Sequence, residues 1–447
     1  MSTKVTKRWM TLGLLGIVLF ALLFSAGWAN TALADDDDDD DAINYVAGQV
    51  IVKLDVLSGA SIADINATYG TTTLDSLPSA AVYLLQIPAS ADAESVVDDM
   101  EDDARLIFAG LNYISATPEA SGQDVWGWGQ DVLVWGGADD APFNDQYAVN
   151  MLGLDQAHNI SLGQGAIVAV LDTGVQLDHP ELVGSLSSIR ADFIDGDTIP
   201  EDEFNGLDDN GNGLIDEGAG HGTHVAGIIH LVAPQAQIMP VRILDSDGRG
   251  DMFKLIGGIS YAVDNGANVI NLSLGVPEGS DLLEMIVEDA TQQGVVIVSA
   301  AGNFGNSVEQ YPAARQCALG ITSVGPDDTK SIFSNYGEWI AFAAPGEGIY
   351  STYPSSGYAW WGGTSMATPF AAGQAALLHS LDPSLTAWDV GQIIAATAQP
   401  LDGLNPDYTG ELGAGRIDVA ASLQYFLNNG VPAFDYGVIS SDCVVSD

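Results

Sequence analysis

The hydrophobic pattern changes character along the chain. It opens with an apolar run from Trp9 to about Trp28, preceded by Lys4, Lys7 and Arg8 and followed by Ala32-Leu33-Ala34. A basic start, an apolar middle and an Ala-x-Ala end are the layout of a secretory signal peptide, here residues 1–34. An uncleaved anchor is the alternative, since the run nearly spans a bilayer. The cleavage pattern favours removal, with no stable membrane span left afterwards. Asp35 to Asp41 is an unbroken acidic run, read as a solvated spacer over 35–43.

Short strands and helices alternate over 44–116. Gln49–Leu54, Ala81–Ile87 and Ala104–Ile114 read as strands; Ile62–Tyr69 and Ala93–Asp102 read as helices. This βαββαβ-like rhythm predicts a small α+β domain. Residues 117–145 show no clear period. They hold Trp126-Gly127-Trp128-Gly129 and Trp135-Gly136-Gly137 and are expected to be a linker.

From Ala166 the strands become continuous apolar runs: Ile167–Leu171, Ile238–Leu244, Val269–Leu274 and Val295–Ala300. Helical stretches Phe253–Asn265 and Leu282–Gln293 lie between the later ones, each ending near a glycine, Gly266 or Gly294. Strands apolar on both faces, alternating with helices, predict an α/β domain over 146–429, a doubly wound, mostly parallel sheet with helices on both faces. Further helices are expected after Ser365, over Thr386–Ala398 and up to about Leu427, with a tail over 430–447.

Composition narrows the partners. Twelve basic against 60 acidic residues give a formal charge of -48. Such a chain is not expected to bind nucleic acid or an anionic bilayer. Two cysteines, Cys317 and Cys443, leave a disulfide open without implying one.

Candidate chemistry sits in four short segments. Leu171-Asp172-Thr173-Gly174 follows a strand; His221-Gly222-Thr223-His224-Val225-Ala226-Gly227 opens a small-residue helix; Ala300-Ala301-Gly302-Asn303 follows another strand; Gly362-Gly363-Thr364-Ser365-Met366-Ala367-Thr368-Pro369 opens a second small-residue helix. Acyl transfer needs a hydroxyl, a base to take its proton and an anion to orient that base. An amide can hold the developing oxyanion.

In these segments, and in their order, the sequence resembles the subtilisin-like serine peptidases. The resemblance implies a secreted serine endopeptidase, extracellular or periplasmic, acting on protein or peptide substrates. It implies Ser365 as nucleophile, His221 as base, Asp172 as its orienter and Asn303 as oxyanion donor. Ser273, Leu274 and Gly275, and Ala300, Ala301 and Gly302, are implied to flank the substrate as strands. The small pocket walls, with Phe304 at the rim, lean towards large apolar side chains. Residues 44–116 resemble the family's inhibitory propeptide, which implies self-cleavage within 117–145 and an intramolecular inhibitor. A non-catalytic binding protein on the same scaffold is the alternative reading.

Asp208-Asp209-Asn210-Gly211-Asn212-Gly213-Leu214-Ile215-Asp216-Glu217 has calcium-loop spacing, with Asp208, Asn210 and Asn212 at positions 1, 3 and 5 and Asp216 at 9. Position 12 is Ala219, so the usual bidentate Glu is missing. The loop resembles a calcium-binding insertion of the same family. The candidate Ca2+ ligands are Asp208, Asn210, Asn212, Leu214, Asp216 and Glu217. A second family calcium site, loosely matched by Asp145 and Glu181, is not expected, because the loop that completes it is too short.

Overall fold

A computed structural model describes residues 44–119 and 133–443. The expected signal peptide, the expected acidic spacer and Trp126-Gly127-Trp128-Gly129 lie outside the described residues.

The amino-terminal module is built on strands β1 (Tyr45–Leu54), β2 (Thr72–Leu77), β3 (Val82–Gln86) and β4 (Leu106–Ala116). Its helices are Ile62–Tyr69 and Ala93–Glu101. Strand β2 was not foreseen, because Thr-Thr-Leu-Asp-Ser-Leu is polar and mostly exposed; it stays in place by antiparallel pairing with β3. The apolar run in β1 has a double use. Val50, Val52 and Leu54 pack with Ile65, Leu85, Val97 and Met100 in the module's own core. Ile51, pointing to the other face, joins the core of the large domain. Strand β1 is thus buried on both faces, and the module is seated on its neighbour. Asn112 of β4 accepts a hydrogen bond from the Phe253 N–H at 3.1 Å, capping a helix of the large domain with a side chain of the small one.

The stretch expected as a linker carries structure. Strand β5 (Val134–Gly137) pairs within the large domain, and Ala141–Asn144 is a short helix. An aromatic holds β5 down: Trp135 packs edge-on against Tyr353. The alternation in Val134-Trp135-Gly136-Gly137 is too short to read as a strand without its partner.

The large domain then runs through β6 (Ile167–Asp172), β7 (Ala191–Asp192), β8 (Gln237–Arg242), β9 (Arg249–Asp251), β10 (Val269–Leu272), β11 (Val296–Ala300), β12 (Ala318–Val324), β13 (Phe342–Pro345), β14 (Ile349–Tyr353) and β15 (Gly357–Trp361). Seven of these form a parallel sheet in the order β13-β12-β11-β10-β6-β8-β7. After β6 the chain fills one side of the sheet, then crosses to β10 and fills the other. The crevice at the carboxyl ends of β6 and β10 is the switch point where such sheets place their sites. Strands β14, β15 and β5 form a separate antiparallel sheet.

The helices His221–Val232 and Thr364–Leu381 are buried along nearly their whole length. Small residues permit this. A Cβ on Gly373 would stand 2.6 Å from the Val232 Cβ, so only glycine lets these two helices lie this close. The described part of the expected tail is not free: Ile439 is buried and Cys443 forms a disulfide with Cys317.

Candidate active site

Asp172 ends β6, and His221 is the first residue of its helix. His221 Nδ1 donates to Asp172 Oδ1 at 2.7 Å, and the Thr173 N–H donates to the same oxygen at 2.7 Å. The glycine after His221 makes this approach possible. A Cβ on Gly222 would lie 2.1 Å from the Gly174 carbonyl oxygen and 3.0 Å from the Asp172 Cβ. The His221 ring is fully buried, edge-on to Trp361.

Ser365 is the second residue of the helix Thr364–Leu381, whose first N–H groups are unpaired within the helix and carry its positive end. Asn303 follows β11. Its Oδ1 accepts from both the backbone N–H and the Oγ1 of Thr364, at 2.9 Å each, which fixes the amide so that Nδ2 faces outward.

Three of these side chains meet one carboxylate that no motif announced. Glu119, three residues beyond β4, accepts from Ser365 Oγ at 2.8 Å through Oε2 and from Asn303 Nδ2 at 2.9 Å through Oε1. His221 Nε2 lies 3.3 Å from Glu119 Oε2. The space is open because residue 363 is glycine; a Cβ there would fall 2.1 Å from Glu119 Oε1. Burial works against a charge on His221, yet the Asp172 and Glu119 carboxylates outweigh it and push its pKa up to about 10. Its neighbour His224 has no such partner: burial pushes it down to about 3, and its ring bonds the Ala359 carbonyl.

The segment leading to Glu119 lies in a cleft as an extended peptide. Ala116 exchanges both backbone hydrogen bonds with Gly275, at 3.1 and 3.0 Å. The Thr117 N–H donates to the Gly248 carbonyl at 3.0 Å. On its other edge, Ile114–Ala116 pairs antiparallel with β9. Of the two expected flanking strands, Ser273–Leu274–Gly275 therefore supplies one through Gly275. On the other edge the segment's main-chain partner is Gly248–Asp251. Within Ala300–Ala301–Gly302, the Ala301 N–H donates to the Ile321 carbonyl and the Gly302 N–H to Thr364 Oγ1. The Gly-rich turn Asp247-Gly248-Arg249-Gly250 was the available signal for the missed flank.

The candidate calcium loop folds on itself. Asn210 Nδ2 and Asn212 Nδ2 both donate to Glu217 Oε1, at 2.9 and 2.7 Å, and Glu217 Oε2 is buried with no hydrogen-bond partner. Asp208 accepts from the N–H groups of Gly211, Asn212 and Gly213. Asp216 turns away; its carboxylate is taken by the N–H groups of Asn205 and Gly206. The Asn210 and Asn212 amide oxygens accept from the N–H groups of Asn212 and Leu214, both at short range within the loop. Among the described residues no three acidic, His or Cys side chains close on a point, so amide and carbonyl oxygens would complete a cation's ligand set. At the doubtful second site, Glu181 accepts from the Tyr358 hydroxyl and lies 3.6 Å from His230 Nε2.

A subtilase family model matches residues 163–415, more than half of the chain. The chain belongs to the subtilase family. It is a subtilisin-like serine peptidase with a prodomain, for residues 33–112 match the model of the fervidolysin N-terminal prodomain. Thermitase of Thermoactinomyces vulgaris is 42% identical over 291 residues, covering 63% of this chain and 96% of thermitase. Subtilisin BL of Lederbergia lenta is 38% identical over 271 residues, 58% of this chain and 93% of that one. The fold also resembles fervidolysin from Fervidobacterium pennivorans, described as a keratinolytic enzyme related to subtilisin. The TM-score is 0.69 at 22% identity, over 89% of this chain and 63% of fervidolysin. Among the described residues no helix is long and apolar enough to cross a membrane.

Proposed function

We propose that the chain is the latent precursor of a secreted serine endopeptidase. In the active form Ser365 Oγ attacks the scissile carbonyl while His221 Nε2 takes its proton. Asp172 holds the ring with Nδ1–H towards itself and stabilises the imidazolium. The carbonyl oxygen, now an anion, receives the Asn303 amide and the Ser365 N–H. His221 then passes the proton to the leaving amine, and water cleaves the acyl-enzyme by the same steps. Peptides bind extended between Gly248–Asp251 and Gly275, with affinity from main-chain pairing.

The observation that carries this reading is the single carboxylate of Glu119 touched by Ser365 Oγ, His221 Nε2 and Asn303 Nδ2 together. An anion is held where the reaction generates one. The binding-protein alternative has no comparable support. The prodomain acts as an intramolecular inhibitor, and self-cleavage falls after Glu119 and before Val134, since β5 is already paired with β15 on the enzyme side. Asp208, Asn210, Asn212 and Glu217 are the residues that would hold Ca2+, which would order the loop ahead of His221. Purified chain and its Ser365→Ala form are incubated with casein and with a fluorophosphonate. Hydrolysis and labelling only with Ser365 support the assignment; equal hydrolysis by both forms sinks it. Amino-terminal sequencing of the processed product locates the cut.

A further inference from the structure

Glu201-Asp202-Glu203 forms no motif, and Asp202 stands 19 positions before His221 in the sequence. In the fold it is only 3% exposed. Its Oδ1 accepts from Thr173 Oγ1 at 3.2 Å and from the Gly220 N–H at 2.8 Å. Its Oδ2 accepts from the Thr223 N–H at 2.9 Å and from Thr223 Oγ1 at 2.6 Å. These donors come from two places. Thr173 directly follows Asp172; Gly220 and Thr223 bracket His221.

We propose that Asp202 is a positioning residue, whose carboxylate ties the loop bearing Asp172 to the helix bearing His221 and so sets the line of the Asp172–His221 hydrogen bond. This rests on the roles proposed above for Asp172 and His221.

The web closes through both threonines. Thr173 Oγ1 also accepts from the Gly222 N–H at 3.0 Å, and Thr223 Oγ1 accepts from the Gln176 N–H at 2.9 Å. Each hydroxyl therefore spends its one proton on Asp202 and its lone pairs on the opposite segment. Asp202 faces four donors at once, which only a group with acceptors on both oxygens satisfies. An amide would present an N–H to donors on one side. The helix start adds its partial positive charge, which favours an anion at this place. Asp202 touches neither the bound segment nor the reacting atoms; it acts through Thr173, whose N–H sets one side of Asp172 Oδ1. Asp202 and Gly220 also close the base of the loop that holds the candidate calcium ligands. Anything that orders that loop is thereby transmitted to the start of the His221 helix.

The test is Asp202→Asn in the full chain, with active sites counted by fluorophosphonate titration after maturation. A misplaced base costs about 10²-fold for a shift on the order of 1 Å. The expected result is a fall of about that size in kcat per titrated site with KM for a small peptide unchanged. The far-downfield proton resonance of the Asp172–His221 bond should also shift or vanish. Wild-type kcat per site, even with fewer sites or a lower Tm, means a merely structural role and overturns the proposal. Should Asp202→Asn not mature, Thr173→Val removes one of the four bonds. A drop in its kcat per site at constant KM supports the proposal, and an unchanged value overturns it. Parallel assay of Ser365→Ala separates the two levels: activity that persists without Ser365 defeats the peptidase mechanism itself. Loss in Ser365→Ala beside an unaffected Asp202→Asn defeats only the positioning role.

Discussion

Replacing Glu119 by alanine should open the latent form without touching the enzyme's own machinery. The carboxylate is largely buried, with 8% of its side chain exposed, so water screens its contacts little. It accepts hydrogen bonds from Ser365 Oγ and Asn303 Nδ2 at 2.8 and 2.9 Å. Hydrogen bonds to charged groups contribute about 1.5–3 kcal/mol each. Taking the lower end for both gives about 3 kcal/mol, or about 10²-fold in the open fraction. The assay is the rate at which a fluorophosphonate labels Ser365 in uncleaved chain, because only the open form admits the probe. Glu119→Ala should label about 10²-fold faster than wild type at neutral pH. The sign of the pH dependence follows from His221. Its pKa in the closed form is raised to about 10, the Asp172 and Glu119 carboxylates prevailing over burial. The proton-linked part of closure is therefore complete below the lower pKa of the open form and fades as pH rises through about 10. Wild-type labelling should accelerate across that interval, and Glu119→Ala should respond less. Equal labelling rates for the two chains at neutral pH would refute the claim that this carboxylate blocks the site.

Asn303→Ala should lower kcat by about 10²–10³, a size taken from the matching loss in subtilisin, a relative; KM for a small peptide should change little. In a Ser365→Ala background, which prevents self-digestion, a chelator should lower Tm, and Asp208→Ala should remove that sensitivity. Cysteines 317 and 443 close a loop 126 residues apart in sequence. Cys443→Ser should therefore cost about 2–4 kcal/mol in guanidinium unfolding of the same background; no change in midpoint would mean the tail packs unaided.

The make-up of the candidate site was legible in the sequence because each of its groups sits in a local motif whose small residues are demanded by close approach. Gly222 lets Asp172 reach His221, and Gly363 leaves room beside Asn303. The continuous apolar strands announced a parallel sheet, and the sheet placed Asp172 and Asn303 at strand ends as expected. Other features have no local signature. Trp135 lies in a strand only because β15 supplies its partner. Gly248 borders the cleft because the carboxyl-terminal part of β4 lies there; the Gly-rich turn around it marks a bend but not the strand that meets it. Cys317 and Cys443 carried no spacing that predicted their pairing. Glu119 and Asp202 are two carboxylates among 60 acidic side chains in the chain, alike in sequence. The tertiary structure sorted them, because a carboxylate acquires a role from the donors that surround it, and those donors arrive from segments far apart in the chain.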